Sequence, residues 1–385
     1  MKKNPAGGKS TLRFLAAILT VALVLALDFG VRSVYRAFWK KKSPPVVTHR
    51  TAQAEYHHGL RPNMTVTDRI GGHEYAFFSN SLAMRDREVR EVSRHKTGPR
   101  VLFIGDSFTE GVGLPWEKTF VGKVQASLAS SGVEVLNAGV NSYCPLLIKH
   151  RLRDLIEKQG LELDRVVVLI DISDVLQELQ YRETPDGSVE AIPYAPFERE
   201  AKTLDRANRI QDWLEKNIED RFVLLGALSR NLRLWGRARD ESVSLWDRLG
   251  DWAWNWPGYE GPFRPLIDRG LASAASNLEE ISAMLKARKI ALTVVVYPWP
   301  QQLFSPALPS EAEVFWGGWA QRNGADFISL FPRFRELGGA EEVREKYYFA
   351  GDSHWNAQGH AEVAAALVGP FRGQILPPKN PAAKY

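Results

Sequence analysis

The sequence has little cysteine and little net charge. Cys144 is the only cysteine among 385 residues, which excludes an internal disulfide and a zinc site built on cysteine pairs. The formal net charge is +5, and part of it comes from the flanks of an apolar N-terminal segment. Because this charge is modest and no nucleic-acid motif is present, we expect no nucleic acid among the partners. Neither a metal ion nor an organic cofactor is implied.

The long apolar run that the sequence does contain lies at its start. It spans residues 14–27, and basic residues precede it: Lys2, Lys3, Lys9 and Arg13. This order is typical of an exported protein. Val24-Leu25-Ala26 is compatible with cleavage, but apolar residues continue beyond Asp28 and approach the roughly 20 residues that a membrane helix needs. Residues 1–37 are therefore predicted to be a single-pass anchor, with a cleaved signal as the alternative, and the rest to face the periplasm or cell exterior.

From residue 99 onward, apolar runs alternate with helical stretches. The runs predict five buried strands at 101–104, 133–136, 166–170, 291–297 and 326–330. The helical stretches are 116–130, 145–159, 271–287, 310–323 and 357–368. This alternation predicts an α/β fold: a three-layer doubly wound, flavodoxin-like sheet of about five parallel strands. Catalytic loops are then expected at the carboxyl ends of the strands.

The regular pattern predicts the domain boundaries. Residues 38–50 are predicted to be a linker, 51–98 an N-terminal extension with a short strand or hairpin, 99–372 the main domain and 373–385 a tail. The third and fourth strands lie too far apart for one crossover. An insertion is therefore predicted at about 181–265, partly helical and rich in tryptophan: Trp213, Trp235, Trp246, Trp252, Trp254 and Trp256. Core packing is the prediction for these rings, with sugar stacking or membrane contact as alternatives.

Two short blocks carry the candidate chemistry. Gly105-Asp106-Ser107-Phe108 follows the first predicted strand, so the Ser107 hydroxyl is expected at the carboxyl edge of the sheet. Gly351-Asp352-Ser353-His354 supplies a histidine and a carboxylate. A serine hydroxyl needs a nearby base to attack an acyl carbon, and imidazole has a suitable pKa. Ser107, His354 and Asp352 are therefore the predicted nucleophile, base and orienting carboxylate. A serine that only caps the turn is the alternative.

With these blocks in this order, the chain resembles the SGNH (GDSL-type) hydrolase family over roughly residues 99–372. The resemblance implies a serine enzyme that acts on esters, with oxyanion donors after the first three strands. The backbone of Ser107 is the first. Gly139 matches the family's glycine, and Ser173 stands where the family has asparagine, which implies a weaker third donor. Asn141 and Trp299, at the same predicted edge, are the expected substrate-binding residues. The alternatives are that Gly139 serves only the turn and that the segment of Trp299 only ends its strand.

Two local patterns refine the resemblance. Asp352 lies two residues before His354 rather than the usual three, which is similar to the Asp-x-His of alginate O-acetyltransferases and leaves Asp106 or Asp174 as a possible substitute. The segment Asn80–Asp86 is similar to an Asn-Ser-x-x-x-Arg-Asp segment of membrane-tethered bacterial members, and no role is predicted for it.

The sequence therefore predicts a membrane-tethered extracytoplasmic esterase or O-acyltransferase that acts on acyl esters of carbohydrate, with acetyl as the expected acyl group. In the case of transfer, a membrane acyl-donor protein is an expected partner. The alternative is a catalytically degenerate carbohydrate-binding or polysaccharide-assembly protein, which Ser173 and the tryptophan-rich insertion both favour.

Overall fold

The structure is a computed structural model. It describes residues 48–70, 73–192, 264–305 and 308–375, together with Leu19, Thr20 and Asp28. Most of the predicted anchor, linker, insertion and terminal tail lies outside these residues. Among the residues that are described, none of the helices has both the length and the hydropathy of a membrane span.

Twelve strands lie in the described residues. They are β1 (Arg50–Gln53), β2 (His57–Leu60), β3 (Thr65–Ile70), β4 (His73–Ser79), β5 (Arg85–Asp86), β6 (Arg100–Ile104), β7 (Glu134–Asn137), β8 (Arg165–Ile170), β9 (Tyr181–Glu183), β10 (Val189–Ala191), β11 (Ala291–Val296) and β12 (Asp326–Ser329). β1 pairs with β2 and β9 with β10 as separate antiparallel hairpins. The other eight form one sheet in the order β12-β11-β8-β6-β7-β5-β4-β3.

From residue 48 onward, the described residues contain nine α-helices. They are α1 (Ser107–Glu110), α2 (Phe120–Leu128), α3 (Pro145–Arg153), α4 (Ile172–Gln177), α5 (Arg264–Ala287), α6 (Glu311–Asn323), α7 (Phe331–Glu336), α8 (Ala340–Tyr347) and α9 (Ala357–Ile375). Their ends follow local signals. α6, for example, begins at a capping box in which Ser310 and Glu313 bond each other's backbone N–H, and it ends at Gly324 with φ 57°.

The predicted α/β fold is confirmed, and so are the five parallel strands, which pair as β12-β11-β8-β6-β7. The sheet as a whole is mixed, because β5 pairs antiparallel with β7 and the β3–β4 hairpin extends that edge. The extension at residues 51–98 therefore holds more strand than the short hairpin predicted for it. The sequence of the extension does not mark these strands, because its apolar residues are scattered rather than grouped in runs.

Both faces of the parallel strands are covered. Val101 and Phe103 of β6 face a core cluster that α2 and α9 complete through residues such as Phe120 and Phe371. Side chains alternate along a strand, so Leu102 and Ile104, equally buried, face the other side. There, α3 and α4 each pack against α5. Burial on both faces explains why these strands have continuous apolar sequences, and it leaves the strand ends as the place for polar groups.

Candidate active site

Ser107 lies at the carboxyl end of the central strand β6, as the first residue of the short helix α1. Asp106 caps this helix, because its Oδ1 accepts the backbone N–H of Phe108 at 3.0 Å. Before the cap, Gly105 permits the tight turn, since a Cβ there would lie 2.4 Å from Thr109 Oγ1. We call residues 105–114 the Ser107 loop. Its turn presents the serine hydroxyl at the edge of the sheet.

His354 reaches Ser107 from a loop 247 residues further along the chain. Its Nε2 lies 2.7 Å from Ser107 Oγ. Asp352 Oδ1 lies 2.6 Å from His354 Nδ1 and also accepts the backbone N–H of His354 at 3.0 Å. Below this loop, the buried ring of Trp355 packs 4.7 Å from that of Phe108 and joins the two chain segments. The three predicted residues therefore lie in one line of hydrogen bonds.

The carboxylate of Asp352 sets the proton positions on His354. A carboxylate only accepts, so Nδ1 carries a hydrogen and the lone pair of Nε2 faces the serine hydroxyl. Burial lowers the pKa of His354, but the hydrogen bond and charge of Asp352 oppose it and leave the pKa raised. Burial acts to raise the pKa of Asp352, but the hydrogen bonds that it accepts and the charge of His354 together outweigh burial, so that pKa is lowered. The arrangement stabilises an imidazolium.

A cluster of buried carboxyls lies directly behind the serine. Burial, followed by the charge of Asp171, raises the pKa of Asp106 to about 8. Burial and the charge of Asp171 also raise the pKa of Asp174. Tyr297 donates its hydroxyl hydrogen to Asp106 at 2.9 Å. Like charges so close do not all ionise, so the cluster holds a proton at neutral pH. Neither Asp106 nor Asp174 bonds His354, and Asp352 alone has the position of the orienting carboxylate.

Two predicted oxyanion donors are already used within the protein. The backbone N–H of Gly139 donates to Asn137 Oδ1 at 2.9 Å. Gly139 is needed for close packing instead, because a Cβ there would lie 2.5 Å from the backbone nitrogen of Glu110. The backbone N–H and the hydroxyl of Ser173 both donate to Oδ1 of Asp171, the N-cap residue of α4, at 2.7 Å. In this structure both groups are therefore bonded within the protein, and their role as oxyanion donors stays a prediction.

Two other backbone N–H groups have the freedom that an oxyanion donor needs. Those of Ser107 and Ser142 donate to no acceptor in the part of the chain that the structure describes. Ser142 lies in residues 138–143, which we call the β7 loop, and has φ 64°. It was missed because the prediction relied on a glycine to mark the turn, whereas a serine adopts the left-handed conformation here. An Asn-Ser pair after a strand was the only available signal.

The comparison with known families decides the identity of this fold. The family model described as "GDSL-like Lipase/Acylhydrolase family" matches residues 103–362. The chain belongs to this family. It is a serine hydrolase that acts on esters, and the predicted membership of the SGNH (GDSL-type) hydrolases is confirmed. No curated protein matches the sequence, and the predicted likeness to alginate O-acetyltransferases is not shown by these matches.

Three solved structures that are similar to this GDSL-like chain are distant from it in sequence. TesA is 14% identical and covers 72% of this chain and 99% of its own, with a TM-score of 0.40. A lipase/acylhydrolase from Enterococcus faecalis is 14% identical and covers 73% and 100%, with a TM-score of 0.39. A variant of Axe2, an acetylxylan esterase from Geobacillus stearothermophilus, is 14% identical and covers 74% and 96%, with a TM-score of 0.39.

The two predicted substrate-binding residues of this hydrolase lie at the same sheet edge and have different surroundings. Asn141 is exposed, and its backbone N–H donates to Glu110 Oε2 at 2.7 Å. Trp299 is half-buried, and its indole N–H donates to Asp171, which fixes the ring beside the buried carboxyls. In the described residues, no group of three or more histidine, cysteine or acidic side chains is arranged to hold a metal ion.

The N-terminal extension lies outside the region that the family model matches, yet it reaches the Ser107 loop. Arg50 forms a two-bond ion pair with the buried Glu110, three residues after Ser107, at 2.6 and 2.9 Å. Arg85 donates to the backbone carbonyls of Glu110, Gly111 and Leu114. Sequence reasoning noted the segment that contains Arg85 but gave it no role. The structure gives it one: this buried cation holds the end of the Ser107 loop.

Proposed function

We propose that this chain hydrolyses acyl esters through a triad of Ser107, His354 and Asp352. The observation that carries the proposal is the unbroken line of hydrogen bonds from Ser107 Oγ through both ring nitrogens of His354 to Asp352. Each group has the partner that its role requires: a base at the hydroxyl and a carboxylate at the far nitrogen of the base.

The reaction follows from this geometry. Ser107 Oγ attacks the carbonyl carbon of the ester while His354 Nε2 takes the hydroxyl proton. The carbonyl oxygen becomes an oxyanion, for which the backbone N–H groups of Ser107 and Ser142 are the proposed donors. His354 then gives its proton to the leaving alcohol, and an acyl-serine remains. Water attacks that ester by the same steps and releases the acid.

The electrostatics favour this sequence of steps. The raised pKa of His354 reflects an imidazolium that Asp352 stabilises, and the imidazolium is the form present when the oxyanion exists. One oxyanion donor is worth roughly 3 kcal/mol of transition-state stabilisation. Two donors at the same sheet edge therefore supply a large share of the barrier reduction that an ester hydrolase needs.

The proposed substrates are acyl esters of carbohydrate, with acetyl as the acyl group. Trp299 supports this choice, because its ring lies 6.5 Å from that of Phe108, the residue after the nucleophile, and its indole N–H donates to Asp171, which fixes an aromatic ring beside the active site. The exposed Asn141 adds an amide that can bond sugar hydroxyls. Trp299→Leu is expected to raise KM for an acetylated oligosaccharide and to leave KM for a small aryl acetate nearly unchanged.

Substrate profiling tests the proposed function. The purified protein should release acetate from acetylated xylooligosaccharides or mannans, and it should cleave p-nitrophenyl acetate faster than p-nitrophenyl octanoate. Absence of turnover on all acyl esters would contradict the proposal. Addition of a polysaccharide acceptor separates hydrolysis from transfer, because an O-acyltransferase would form acetylated product in preference to free acetate.

We also propose that residues 1–37 tether this esterase to a membrane, with the active site in the periplasm or outside the cell. The basic flank and the apolar run of the sequence support this proposal. Full-length protein should sediment with membranes and resist extraction by carbonate, whereas a chain that begins at residue 48 should remain in solution. Equal behaviour of the two chains would contradict it.

A further inference from the structure

The oxyanion donor assigned to Ser142 belongs to a peptide unit whose other end is also bonded. The N–H of Ser142 and the carbonyl of Asn141 form one planar group, so the orientation of one fixes the other. The carbonyl oxygen of Asn141 lies 2.8 Å from Nε2 of His58, in strand β2. His58 is therefore bonded to the carbonyl oxygen of the same peptide group that carries the unbonded N–H of Ser142.

The hydrogen positions follow from the chemistry of the partners. A carbonyl oxygen only accepts, so Nε2 of His58 must carry the hydrogen. Burial lowers the pKa of His58 more than the bond to Asn141 raises it, so the ring is neutral near pH 7 and its Nδ1 is an acceptor. Nδ1 of His57 lies 2.8 Å away and supplies the hydrogen. The chain of donation runs from His57 through His58 to Asn141.

Two further contacts join His58 to the β7 loop. The hydroxyl of the buried Tyr143 donates to the backbone carbonyl of His58 at 2.8 Å, and the two rings meet edge to face at 5.2 Å. Asn141 bonds the ring on one side of Ser142, and Tyr143 bonds the backbone on the other. Ser142, between them, has φ 64°, a left-handed conformation that is strained for a residue with a Cβ and persists only where the surroundings hold it.

We propose that His58 is a positioning residue for ester hydrolysis, which holds the Asn141–Ser142 peptide with the Ser142 N–H turned toward the oxyanion. Without this bond, the strained peptide can rotate and turn its N–H away. The bond also polarises the peptide and makes its N–H a stronger donor. The inference rests on the proposed function and deepens it: the N-terminal extension, outside the family-matched region, completes the oxyanion site.

Two variants of equal length separate the hydrogen bond from the packing. His58→Gln keeps an N–H donor, whereas His58→Met has none. We expect His58→Met to lower kcat for p-nitrophenyl acetate about tenfold to a hundredfold with KM unchanged, because the contact acts on the oxyanion. The rate of labelling by a fluorophosphonate, whose addition builds a similar oxyanion, should fall in parallel. His58→Gln should recover most of the loss.

Controls keep the test decisive. His95→Met makes the same change at an exposed histidine bonded to Glu162 and should leave kcat unchanged. Tyr143→Phe releases only the backbone of His58 and should lower kcat below that of the wild type with KM unchanged. If His58→Met fails to fold, a wild-type kcat in Tyr143→Phe overturns the inference.

Three outcomes would overturn the inference. They are a kcat of His58→Met equal to that of the wild type, a loss of kcat in His58→Gln as large as that in His58→Met, and a loss in His58→Met that falls wholly on KM. An active wild type matched by His58→Met overturns this inference alone. An inactive wild type overturns the proposed function and this inference with it.

Discussion

The family-matched region and the N-terminal extension contribute different groups to the same edge of the sheet. The family-matched region supplies the groups placed to react, Ser107 and its partners. The extension supplies side chains that bond the loops around them: Arg50 and Arg85 hold the Ser107 loop, and His58 holds the β7 loop. None of these three is placed to touch the reacting atoms. The two regions therefore differ in role: one supplies the groups that react, and the other supplies the groups that hold the reacting loops in position.

The largest expected effect comes from the reacting side of this comparison. Asp352→Asn should lower kcat/KM by about a thousandfold to ten-thousandfold, because His354 loses the partner that fixes its tautomer. The pKa of His354 should also fall, since the bond and charge of Asp352 raise it. Activity requires neutral His354, so the acid limb of the pH profile of kcat/KM should move to lower pH. The exposed Asp268→Asn is the control, and an unmoved acid limb would contradict the account.

A substitution in the N-terminal extension should lower the free energy of unfolding as well as kcat. Arg85 is fully buried, and Arg85→Met leaves three backbone carbonyls without their donor. We expect the free energy of unfolding to fall by about 3 kcal/mol in urea titrations, with a lower kcat as the Ser107 loop loosens. Arg87→Met, at an exposed arginine nearby, should stay within about 0.5 kcal/mol. Equal stability of the two variants would show that Arg85 does not hold the loop.

Two histidines of the family-matched region also differ in this way: one is placed to react and the other only supports the fold. His354 has a carboxylate partner and a raised pKa. His360 is buried, its Nδ1 accepts the backbone N–H of Phe120 at 3.0 Å, and burial, with the nearby charge of Arg85, lowers its pKa from 6.5 to about 3. Between pH 6.5 and about pH 3, His360 is therefore protonated in the unfolded chain and neutral in the folded chain. The stability tied to neutral His360 is complete above pH 6.5 and is lost as the pH falls toward 3.

A pH series measures this smaller effect. Between pH 6.5 and pH 5, His360 should cost the wild type about 2 kcal/mol of unfolding free energy, at 1.36 kcal/mol per pH unit. His360→Gln removes the titrating group, so its stability should fall by about that much less over the same interval. The quantity compared is the change in unfolding free energy between pH 6.5 and pH 5 within each protein. A lower stability of the variant at pH 7 therefore does not affect the result. Parallel pH curves would contradict the buried neutral state of His360.

Sequence reasoning succeeded where burial or residue order left a direct mark. The five parallel strands have continuous apolar runs because both faces are covered, and their predicted positions are confirmed. Ser107, His354 and Asp352 were found because a hydroxyl, an imidazole and a carboxylate in strand-end blocks form a recognisable set, and the structure brings them into contact. Their catalytic roles remain a prediction.

The rest could not be predicted because it depends on which backbone groups stay free after folding. Gly139 has the expected residue type, but its N–H is taken by Asn137. Ser142 has an unremarkable type, and its free N–H results from a left-handed conformation. Arg85 and His58 act on carbonyls that are 25 or more residues away in the chain, and no local pattern marks such contacts.

Covalent labelling by a fluorophosphonate tests the central claim most directly, because the probe reacts with serines that a base has activated. The wild type should be labelled on Ser107, and both Ser107→Ala and His354→Ala should lose the label while they keep the circular dichroism of the wild type. Labelling that persists in folded Ser107→Ala, or that is as fast in His354→Ala as in the wild type, would contradict the account.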